Sequence, residues 1–410
     1  MNCRHCSTAL SHVFLDLGSM PPSNAYLKAP QLNQPELRYP LKLYVCDRCW
    51  LVQTEDFVAA DNLFDQDYAY FSSASETWLS HAKHYSTTIT KKLGLSKNNL
   101  VIEIASNDGY LLKNFVAAGI PCLGIEPTAS TAAASEKLGI PVLRQFFGSA
   151  LASKLGAQGK QADLIIGNNV YAHVPDINDF TAGLKTLLTP GGTITLEFPH
   201  LMRLIEGRQF DTVYHEHFSY LSLAAACRIF ARAGLKIYDV EELSTHGGSL
   251  RIYGCHAEDK RAENGSVAAL LKTETAHGLE NLSTYRNFQS TAGKIRDDFL
   301  AFLRHSKKQG KKIAAYGAAA KGNTLLNFAG VTPDLIPYVC DAAPSKQGTF
   351  LPGAHSEIVA ASALHERKPD IVVILPWNIA EEVVKQHGYI KDWGGEFMTA
   401  VPAYWKVKKI

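Results

Sequence analysis

The chain has no long apolar run and almost no net charge. No apolar stretch reaches about 18 residues, the length that a membrane-spanning helix needs, so the sequence predicts no contact with a membrane. Proteins that neutralise nucleic-acid phosphates usually carry a basic face. With a formal net charge of only +2, nucleic acid is not the expected partner. The first residues hold no apolar signal core, and the cysteine usage suits a reducing compartment, so we expect a cytoplasmic protein.

A second absence concerns the cofactor. The apolar run at 100–104 predicts a strand, and the turn after it, Ala105-Ser106-Asn107-Asp108-Gly109, holds one glycine. A dinucleotide site would have G-x-G-x-x-G there, so that a pyrophosphate can approach the helix. The strand carries Glu103, and the next one ends in Glu126-Pro127, where an acid can accept hydrogen bonds from a ribose. A nucleoside without a phosphate, S-adenosylmethionine, fits this order, although Glu126 alone could be a solvated strand-end acid.

From residue 100 onward, short apolar runs alternate with amphipathic stretches, the pattern of βαβ units. Helices are predicted over 110–118, 177–188 and 222–233, and Pro190-Gly191-Gly192 is expected to end the second of these. The predicted fold is α/β: a small N-terminal module (1–64), a central α/β domain (65–258) and a second α/β domain (259–410). The strand over 163–169 is expected to bring Asn168 and Asn169 to the cofactor, because ligands bind at the carboxyl ends of parallel strands.

Two Cys-x-x-Cys pairs, Cys3 with Cys6 and Cys46 with Cys49, open the chain. Each pair places two soft thiolates on one tight turn, and four thiolates suit the tetrahedral coordination of zinc. The 39 residues between the pairs exceed the usual zinc-ribbon spacing. Disulfides or free thiols are the alternatives. Because all four ligands would come from the protein, a zinc ion here is expected to be structural.

The run Tyr214-His215-Glu216-His217 concentrates four polar or titratable side chains. A buried core has little use for such a run, since each group would need a partner. The alternatives are a solvated loop or a second metal site made by His215 and His217. His173 follows the 163–169 strand and is either a structural histidine or part of the same site. Tyr68 and Tyr70 belong to an aromatic run that could be plain packing.

In the C-terminal half, Lys321 follows a predicted strand and Asn323 opens a helix. Backbone N–H groups at a helix N-terminus together with one ammonium can bind a diphosphate, although Lys321 could instead be a surface residue. Trp377 follows another predicted strand and could stack on a base or contact a neighbouring domain.

These motifs, taken together and in this order, resemble the sugar C-methyltransferases that act on C-3 of deoxysugars, of the tetronitrose and mycarose type. The resemblance spans essentially the whole chain. It is carried by the following motifs: the paired Cys-x-x-Cys, Tyr68-Ala69-Tyr70-Phe71-Ser72-Ser73, the 103–109 turn, Asn168-Asn169-Val170-Tyr171-Ala172-His173-Val174, Tyr214-His215-Glu216-His217 and Tyr316-Gly317-Ala318-Ala319-Ala320-Lys321-Gly322-Asn323-Thr324. One departure is Ala105, where the family usually has glycine. An alanine is tolerated there if φ is negative and is costly if φ is positive.

The resemblance implies that the central domain (65–258) is a Rossmann-like class I methyltransferase domain, and it implies a function and roles for residues. His217 would be the general base, and Tyr68, His173, Tyr214 and Glu216 would surround the sugar, with Tyr70, Lys321, Asn323 and Trp377 as further substrate contacts. The substrate would be a nucleotide-linked 4-keto-6-deoxy sugar, with dTDP as the expected nucleotide and GDP or CDP as alternatives. S-adenosylmethionine would donate the methyl group and leave as S-adenosylhomocysteine.

Two other classes of function are less consistent with the sequence. A zinc-containing RNA methyltransferase would need more positive charge than this chain has. A non-catalytic scaffold that retains a methyltransferase fold would have little reason to keep the run at 214–217.

Overall fold

The computed structural model describes residues 1–55, 71–402 and 405–406. The strands within those ranges are β1 (His12–Met20), β2 (Tyr39–Val45), β3 (Val52–Thr54), β4 (Val101–Ile104), β5 (Cys122–Ile125), β6 (Val142–Leu143), β7 (Ala162–Asn168), β8 (Leu188–Pro199), β9 (Ser219–Tyr220), β10 (Leu235–Leu243), β11 (Ser249–His256), β12 (Ile313–Tyr316), β13 (Tyr338–Asp341), β14 (Glu357–Ala360), β15 (Ile371–Ile374), β16 (Glu396–Thr399) and β17 (Trp405–Lys406).

The α-helices of the same ranges are α1 (Glu76–Leu93), α2 (Leu112–Ala117), α3 (Ala129–Glu136), α4 (Ser149–Ala157), α5 (Ile177–Leu187), α6 (Leu201–Glu206), α7 (Leu223–Arg232), α8 (Gly265–Ala276), α9 (Leu282–Arg286), α10 (Phe288–Lys308), α11 (Ala320–Phe328), α12 (Ala363–Arg367) and α13 (Ala380–Gln386). None of the helices in this described part of the chain combines the length and the apolar character needed to cross a bilayer.

The central sheet has the order β10-β11-β8-β7-β4-β5-β6. Strands β4 to β8 are parallel, and β11 and β10 add an antiparallel edge. The chain builds outward from β4 through β5 and β6, then returns to place β7 on the other side of β4. The strand order therefore reverses between β4 and β7, and a crevice opens there beyond the carboxyl ends, which is where ligands bind in such sheets.

The C-terminal sheet repeats this plan with the order β14-β13-β12-β15-β16-β17. Its first five strands are parallel, and β17 is antiparallel. The order reverses between β12 and β15, so the segments that follow these two strands share one crevice. Lys321 lies after β12 and Trp377 lies after β15. The predicted α/β fold with a second α/β domain is confirmed.

Several predicted elements follow from local sequence. Ser222 caps α7 by accepting a hydrogen bond from the backbone N–H of Ala225, and Gly234 follows the helix with φ +73°, as expected of a C-terminal stop. The helix predicted over 177–188 is present to within one residue, but Pro190-Gly191-Gly192 does not form its stop. Helix α5 ends at Leu187, and the three residues lie inside β8, where the register with β7 shifts. The tertiary pairing with β7 starts the strand earlier than the turn residues suggest.

The N-terminal sheet contains a strand from outside its module. Its order is β1-β2-β3-β9, and β9 comes from the central part of the chain. Val52 pairs with Tyr220 and Gln53 with Ser219. The backbone N–H of Thr54 donates to the carbonyl of Phe218 at 3.1 Å. The module thus pairs with the residues that directly follow the run at 214–217.

The four N-terminal cysteines converge on one point. Their Sγ atoms all lie within 4.8 Å of one another, and the Cys3–Cys49 and Cys6–Cys46 pairs are each 3.5 Å apart. Zinc–thiolate bonds of ~2.3 Å in a tetrahedron place sulfurs about 3.8 Å apart, so the cluster fits zinc. The side-chain amide of Gln53 donates to the Cys3 sulfur at 3.2 Å, which links the cluster to β3.

The two Cys-x-x-Cys segments form the same turn. Ser7 N–H donates to the Cys3 carbonyl and Trp50 N–H to the Cys46 carbonyl, both at 2.9 Å. Ser7 and Trp50 have φ +64° and +63°. Both turns therefore aim their two sulfurs in the same way, although the sequences after each pair differ.

We predict one zinc ion per chain, measured by elemental analysis of the native protein. Cys49→Ser removes one thiolate and is expected to lower both the zinc content and the melting temperature, because a module this small depends on the metal. Cys227→Ser is the control, since Cys227 lies outside the cluster and this variant should retain one zinc. Native protein that contains no zinc, and a Cys49→Ser variant that melts at the native temperature, would contradict the assignment.

Candidate active site

His217 lies at the centre of the site. Its Nδ1–H donates a hydrogen bond to the carbonyl oxygen of Thr212 at 3.0 Å, which leaves a lone pair on Nε2. Its ring centroid lies 4.5 Å from that of His173 and 4.0 Å from that of Tyr214. Burial lowers the pKa of His217 well below its usual value, and the neighbouring His173 adds to the effect. The imidazole is therefore neutral near pH 7 and can accept a proton on Nε2.

His173 belongs to a helical turn, Tyr171–His173, that follows β7. Burial lowers the pKa of His173 to about 4, although a hydrogen bond to the backbone of Glu216 opposes the shift. The backbone N–H of Phe218 donates to the carbonyl of Ala172 at 2.8 Å. These two bonds join the turn after β7 to the 214–217 run, so the two imidazoles keep a fixed spacing.

Glu216 is buried and accepts a hydrogen bond from the N-terminal module. The side-chain amide of Asn24 donates to its Oε1 at 2.6 Å. Two residues further on, the hydroxyl of Tyr26 donates to the carbonyl of Ala318 in the C-terminal domain at 2.6 Å. The sequence did not single out Asn24. No local pattern marks Asn24, because its partner lies 192 residues away.

His215 points away from His217. Its Nε2 lies 3.3 Å from the carbonyl oxygen of Tyr39, and burial lowers its pKa. Among the described residues, the four-cysteine cluster is the one group of histidine, cysteine and acidic side chains arranged to hold a metal ion. The alternative of a second metal site on His215 and His217 is therefore not supported.

The C-terminal domain brings a cation to this site. The Lys321 ammonium donates to Oδ1 of Asn378 at 2.6 Å and lies 4.7 Å from the ring centroid of Trp377. Burial lowers the pKa of Lys321 to about 8, while the carboxylate of Asp211 opposes the shift. The charge of Lys321 also lowers the pKa of His217.

Asp211 connects Trp377 to the catalytic run. It is fully buried, and its Oδ2 accepts a hydrogen bond from the Trp377 indole at 2.8 Å. Burial raises the pKa of Asp211 to about 6. The residue after it, Thr212, is the one whose carbonyl holds His217. Sequence reasoning missed Asp211, because its environment depends on a tryptophan 166 residues away.

Helix α11 begins against the same run, because the hydroxyl of Thr324 donates to the Val213 carbonyl at 2.8 Å. Asn323, predicted to contact the substrate, is buried and its Oδ1 accepts a hydrogen bond from Asn327 of the same helix at 3.2 Å. The structure therefore brings Lys321 and Trp377 to the site and directs the oxygen of Asn323 along its own helix.

The crevice beyond β4 and β5 holds two acids. Oε2 of Glu126 accepts from the backbone N–H of Asn107 at 2.9 Å, and Oε1 accepts from the backbone N–H of Thr128 at 3.0 Å and from its hydroxyl. Both carboxylate oxygens of Glu103 are buried and lack a partner among the described residues. Burial raises the pKa of Glu103 well above its usual value, and the nearby carboxyl groups of Glu126 and Asp108 add to the shift. Pro127 follows β5 and is half-buried.

The side chains of Asn107 and Asp108 hold a neighbouring segment. Asn107 Oδ1 accepts from the backbone N–H of Ser72 at 2.9 Å, and Asp108 Oδ2 accepts from that of Ser73 at 3.0 Å. This segment leads into α1. Tyr68 and Tyr70, predicted to contact the sugar, lie outside the described residues.

Polar atoms without partners cluster at the carboxyl ends of β4 and β7. Among the described residues, the hydroxyl of Ser106 and both amide atoms of Asn168 are buried without a hydrogen bond. Asn169 has φ +54°, and its backbone N–H donates to the Glu197 carbonyl at 2.7 Å. Unsatisfied buried groups are costly, so this edge of the sheet is arranged for a polar ligand.

Glu197 is a buried acid that the sequence did not single out. Arg251 donates to its Oε2 at 2.6 Å, and His81 of α1 lies 2.9 Å from the same oxygen. The hydroxyl of Thr245 donates to Oε1 at 2.9 Å. Hydrogen bonds and the Arg251 charge keep the pKa of Glu197 below its usual value despite its burial. The cluster ties α1 and the loop after β10 to the end of β8.

Comparison with known proteins assigns this architecture. The C-methyltransferase C-terminal domain family matches residues 244–402, a zinc binding domain family matches residues 3–64, and a methyltransferase domain family matches residues 78–240. The C-methyltransferase NovU of Streptomyces niveus is 30% identical over 400 residues, which cover 98% of this chain and 95% of NovU.

The chain belongs to the C-methyltransferase family. It is an S-adenosylmethionine-dependent C-methyltransferase with a zinc-binding N-terminal domain, so the predicted family, cofactor and metal are confirmed. The free polar atoms of Glu103, Ser106 and Asn168 at the crevice fit such a cofactor, and the four thiolates fit zinc.

Solved structures are also similar over part of the chain. Magnesium protoporphyrin IX methyltransferase of Synechocystis PCC 6803 with bound S-adenosylhomocysteine is 15% identical, with a TM-score of 0.34 over 43% of this chain and 81% of that one. An S-adenosylmethionine-dependent methyltransferase of Clostridium acetobutylicum ATCC 824 is 9% identical, with a TM-score of 0.35 over 43% of this chain and 91% of that one.

Ala105 has φ +56°, the costly case for a residue with a Cβ. A left-handed backbone conformation destabilises a non-glycine residue by roughly 1–2 kcal/mol. Glycine avoids this strain, but it makes the unfolded chain more flexible, which lowers the stability by about 0.4–1 kcal/mol. We therefore expect Ala105→Gly to raise the melting temperature by about 2 °C. Ala133→Gly, within α3, is the control and should lower it. An Ala105→Gly variant that melts at a lower temperature than the native protein would contradict the inference that Ala105 is strained.

The Asn24–Glu216 hydrogen bond predicts an effect of the N-terminal module on catalysis. Asn24→Ala should lower kcat about 10-fold, since a hydrogen bond to a charged group contributes roughly 1.5–3 kcal/mol, and Asn24→Asp should lower it further by placing two carboxylates together. Zinc content and cofactor affinity should not change. Exposed Asn33→Ala is the control, and equal kcat for all three variants would show that Glu216 does not need Asn24.

Proposed function

We propose that this C-methyltransferase adds a methyl group to C-3 of a nucleotide-linked 4-keto-6-deoxy sugar, with His217 as the general base. The observation that carries the proposal is the neutral imidazole of His217, whose Nδ1 is tied to Thr212 and whose Nε2 is left to accept a proton. The segment 213–218 that carries it is hydrogen-bonded to the turn after β7 in the central domain and to helix α11 of the C-terminal domain. The family resemblance supports the same assignment.

A carbon nucleophile must form before a methyl group can move to carbon. A ketone at C-4 makes the C-3 proton acidic, because the resulting charge spreads onto oxygen. Nε2 of His217 would take that proton, and the electron pair of the broken C–H bond would form the enolate. A depressed pKa keeps the base unprotonated but also makes it weaker, so the enolate needs stabilising donors.

Tyr214 and His173 are the nearest candidates for such donors, since their rings adjoin that of His217. One well-placed donor to a developing oxyanion typically contributes about 2.7–4 kcal/mol. Glu216, held by Asn24, would orient a hydroxyl of the sugar ring. Tyr68 would complete this group of side chains, as the resemblance implies.

Bound S-adenosylmethionine supplies an electrophilic methyl group. Glu126, at the end of β5, retains acceptor capacity beyond its bonds to Asn107 and Thr128, and we assign it to the ribose hydroxyls. Glu103, Ser106 and Asn168 line the crevice with free polar atoms and would hold the amino-acid portion. Asn107 and Asp108 would act indirectly, by holding the segment at Ser72 over the crevice.

The nucleotide would bind to the C-terminal domain. Lys321 and the first N–H groups of α11 offer a positive site for a diphosphate, and Trp377 offers an aromatic face for a base. Because helix α11, which carries Lys321, is also hydrogen-bonded to the segment that carries His217, this arrangement would place the sugar of an NDP-sugar beside the base. dTDP is the nucleotide we test first, with GDP and CDP as alternatives.

His217→Asn should abolish methyl transfer, a loss of at least about 10³-fold, while leaving the affinity for S-adenosylhomocysteine unchanged by calorimetry. The assay incubates the enzyme with S-adenosylmethionine and a panel of nucleotide 4-keto sugars, followed by mass spectrometry. Exposed His84→Asn is the matched control. Transfer by His217→Asn at the native rate would place the base elsewhere, and no product from any sugar would refute the substrate class.

The rate should respond to pH at both ends. Since the neutral form of His217 is active and its pKa is depressed, kcat/KM should stay level from pH 8 down past 6.5 and fall only at more acidic pH. Lys321, with a pKa of about 8, loses its charge above that pH, so kcat/KM should also fall there. Lys321→Arg keeps its charge and should remove the alkaline fall. An alkaline fall that persists in this variant would assign it to another group.

A further inference from the structure

The loop between β10 and β11, Ser244 to Gly248, contains a strained histidine. His246 has φ +53° and ψ +22°, a left-handed conformation that residues with a Cβ rarely adopt. Two glycines follow it, at 247 and 248. A glycine at position 246 would adopt this conformation without strain, yet the position holds a histidine. Strained positions persist where the surroundings enforce them, often at functional sites.

The surroundings fix this loop from three sides. The hydroxyl of Thr245 donates to Oε1 of Glu197 at 2.9 Å, and the side-chain amide of Gln209 donates to the Gly247 carbonyl at 2.7 Å. A Cβ at Gly247 would overlap the ring of Trp377. Glu197 is in turn held by Arg251. The loop is therefore wedged between the central sheet and the C-terminal domain.

The imidazole of His246 has a defined tautomer. The side-chain amide of Asn169 donates to its Nε2 at 3.1 Å, so the ring proton belongs on Nδ1. Nδ1 has no hydrogen-bond partner among the described residues, and the ring centroid of Trp78 lies 5.2 Å from that of His246. An N–H donor is thus available next to the crevice edge that Asn169 marks.

This donor is uncharged. Burial lowers the pKa of His246 to about 4, and the Lys321 ammonium adds to the effect. The other charged groups that act on it are Glu197, which opposes the shift, and His81. His246 also contributes to the lowered pKa of His217. The Trp377 ring lies against Gly247 and 4.7 Å from the Lys321 ammonium, so the loop that carries His246 lies beside the Lys321 side of the site.

We propose that His246 is a further catalytic residue, a neutral imidazole whose Nδ1–H donates a hydrogen bond to the ketone oxygen of the substrate. This inference rests on the proposed function. When His217 takes the proton from C-3, the C–H electron pair forms the C-3–C-4 double bond and the carbonyl π pair moves onto oxygen. The proton on Nδ1 of His246 stays in place and stabilises that oxygen, as donors to developing oxyanions do.

The test isolates proton removal from methyl transfer. The native enzyme is saturated with S-adenosylhomocysteine in deuterium oxide, and exchange of the C-3 proton of a dTDP-4-keto-6-deoxy sugar is followed by NMR. We expect His246→Ala to slow exchange about 10²-fold, with sugar KM and S-adenosylhomocysteine affinity within about 3-fold of the native values.

Two further variants separate the donor from a structural role. The amide nitrogen of His246→Asn is as far from Cα as Nδ1, and asparagine tolerates left-handed backbone, so this variant should recover most of the exchange rate. His246→Gln places its amide one bond further out and should be no faster than His246→Ala. If His246→Ala does not fold, the comparison of Asn with Gln decides, and Asn should be at least about 10-fold faster.

The inference is overturned if His246→Ala exchanges at the native rate, if Asn is no faster than Gln, or if the variants lose S-adenosylhomocysteine affinity instead, which would make His246 a cofactor ligand. Failure of the proposed function gives a different result. In that case the native enzyme itself exchanges no proton with any 4-keto sugar.

Discussion

The pairing of β3 with β9 is the contact on which the rest of the site depends. β3 follows the second pair of zinc ligands, and β9 follows His217 directly. Through this pairing and the bond from Thr54 to Phe218, a metal-stabilised module sets the position of the catalytic turn. The same turn is joined on its other side to the segment after β7. Backbone hydrogen bonds on both sides leave His217 little freedom, which suits its proposed role as a base that must approach one carbon–hydrogen bond.

No single sheet of this protein holds a complete active site. The central sheet contributes the crevice with Glu103 and Asn168, the N-terminal module contributes Asn24, and the C-terminal domain contributes Lys321 and Trp377. Asp211 connects the C-terminal domain to His217. Its carboxylate accepts a hydrogen bond from the indole of Trp377, and the carbonyl of the next residue, Thr212, accepts one from His217. The proposed substrate, a carbon acid attached to a nucleotide, has two distant ends, and a site shared between domains can bind both.

Burial sets the electrostatics of this shared site. His173, His217 and His246 all have depressed pKa values because they are removed from water near one another and, for His217 and His246, near the Lys321 ammonium. Neutral imidazoles can accept or donate a proton at pH 7 without the cost of a buried charge. The acids are segregated: Glu197 is paired with Arg251, and Glu216 is bonded to an amide. The site thus presents neutral groups where charge would develop.

Periodicity and short motifs in the sequence determined the α/β class, most strands of the two parallel sheets, the four zinc ligands and the 214–217 run, because each of these is encoded by neighbouring residues. The resemblance to the family supplied the role of His217. Only the tertiary structure decided that Asn24 meets Glu216, that Asp211 meets Trp377, that His215 faces away, and that Ala105 and His246 adopt left-handed backbone. Those facts depend on partners far along the chain, or on backbone angles that packing imposes, and no local pattern records either.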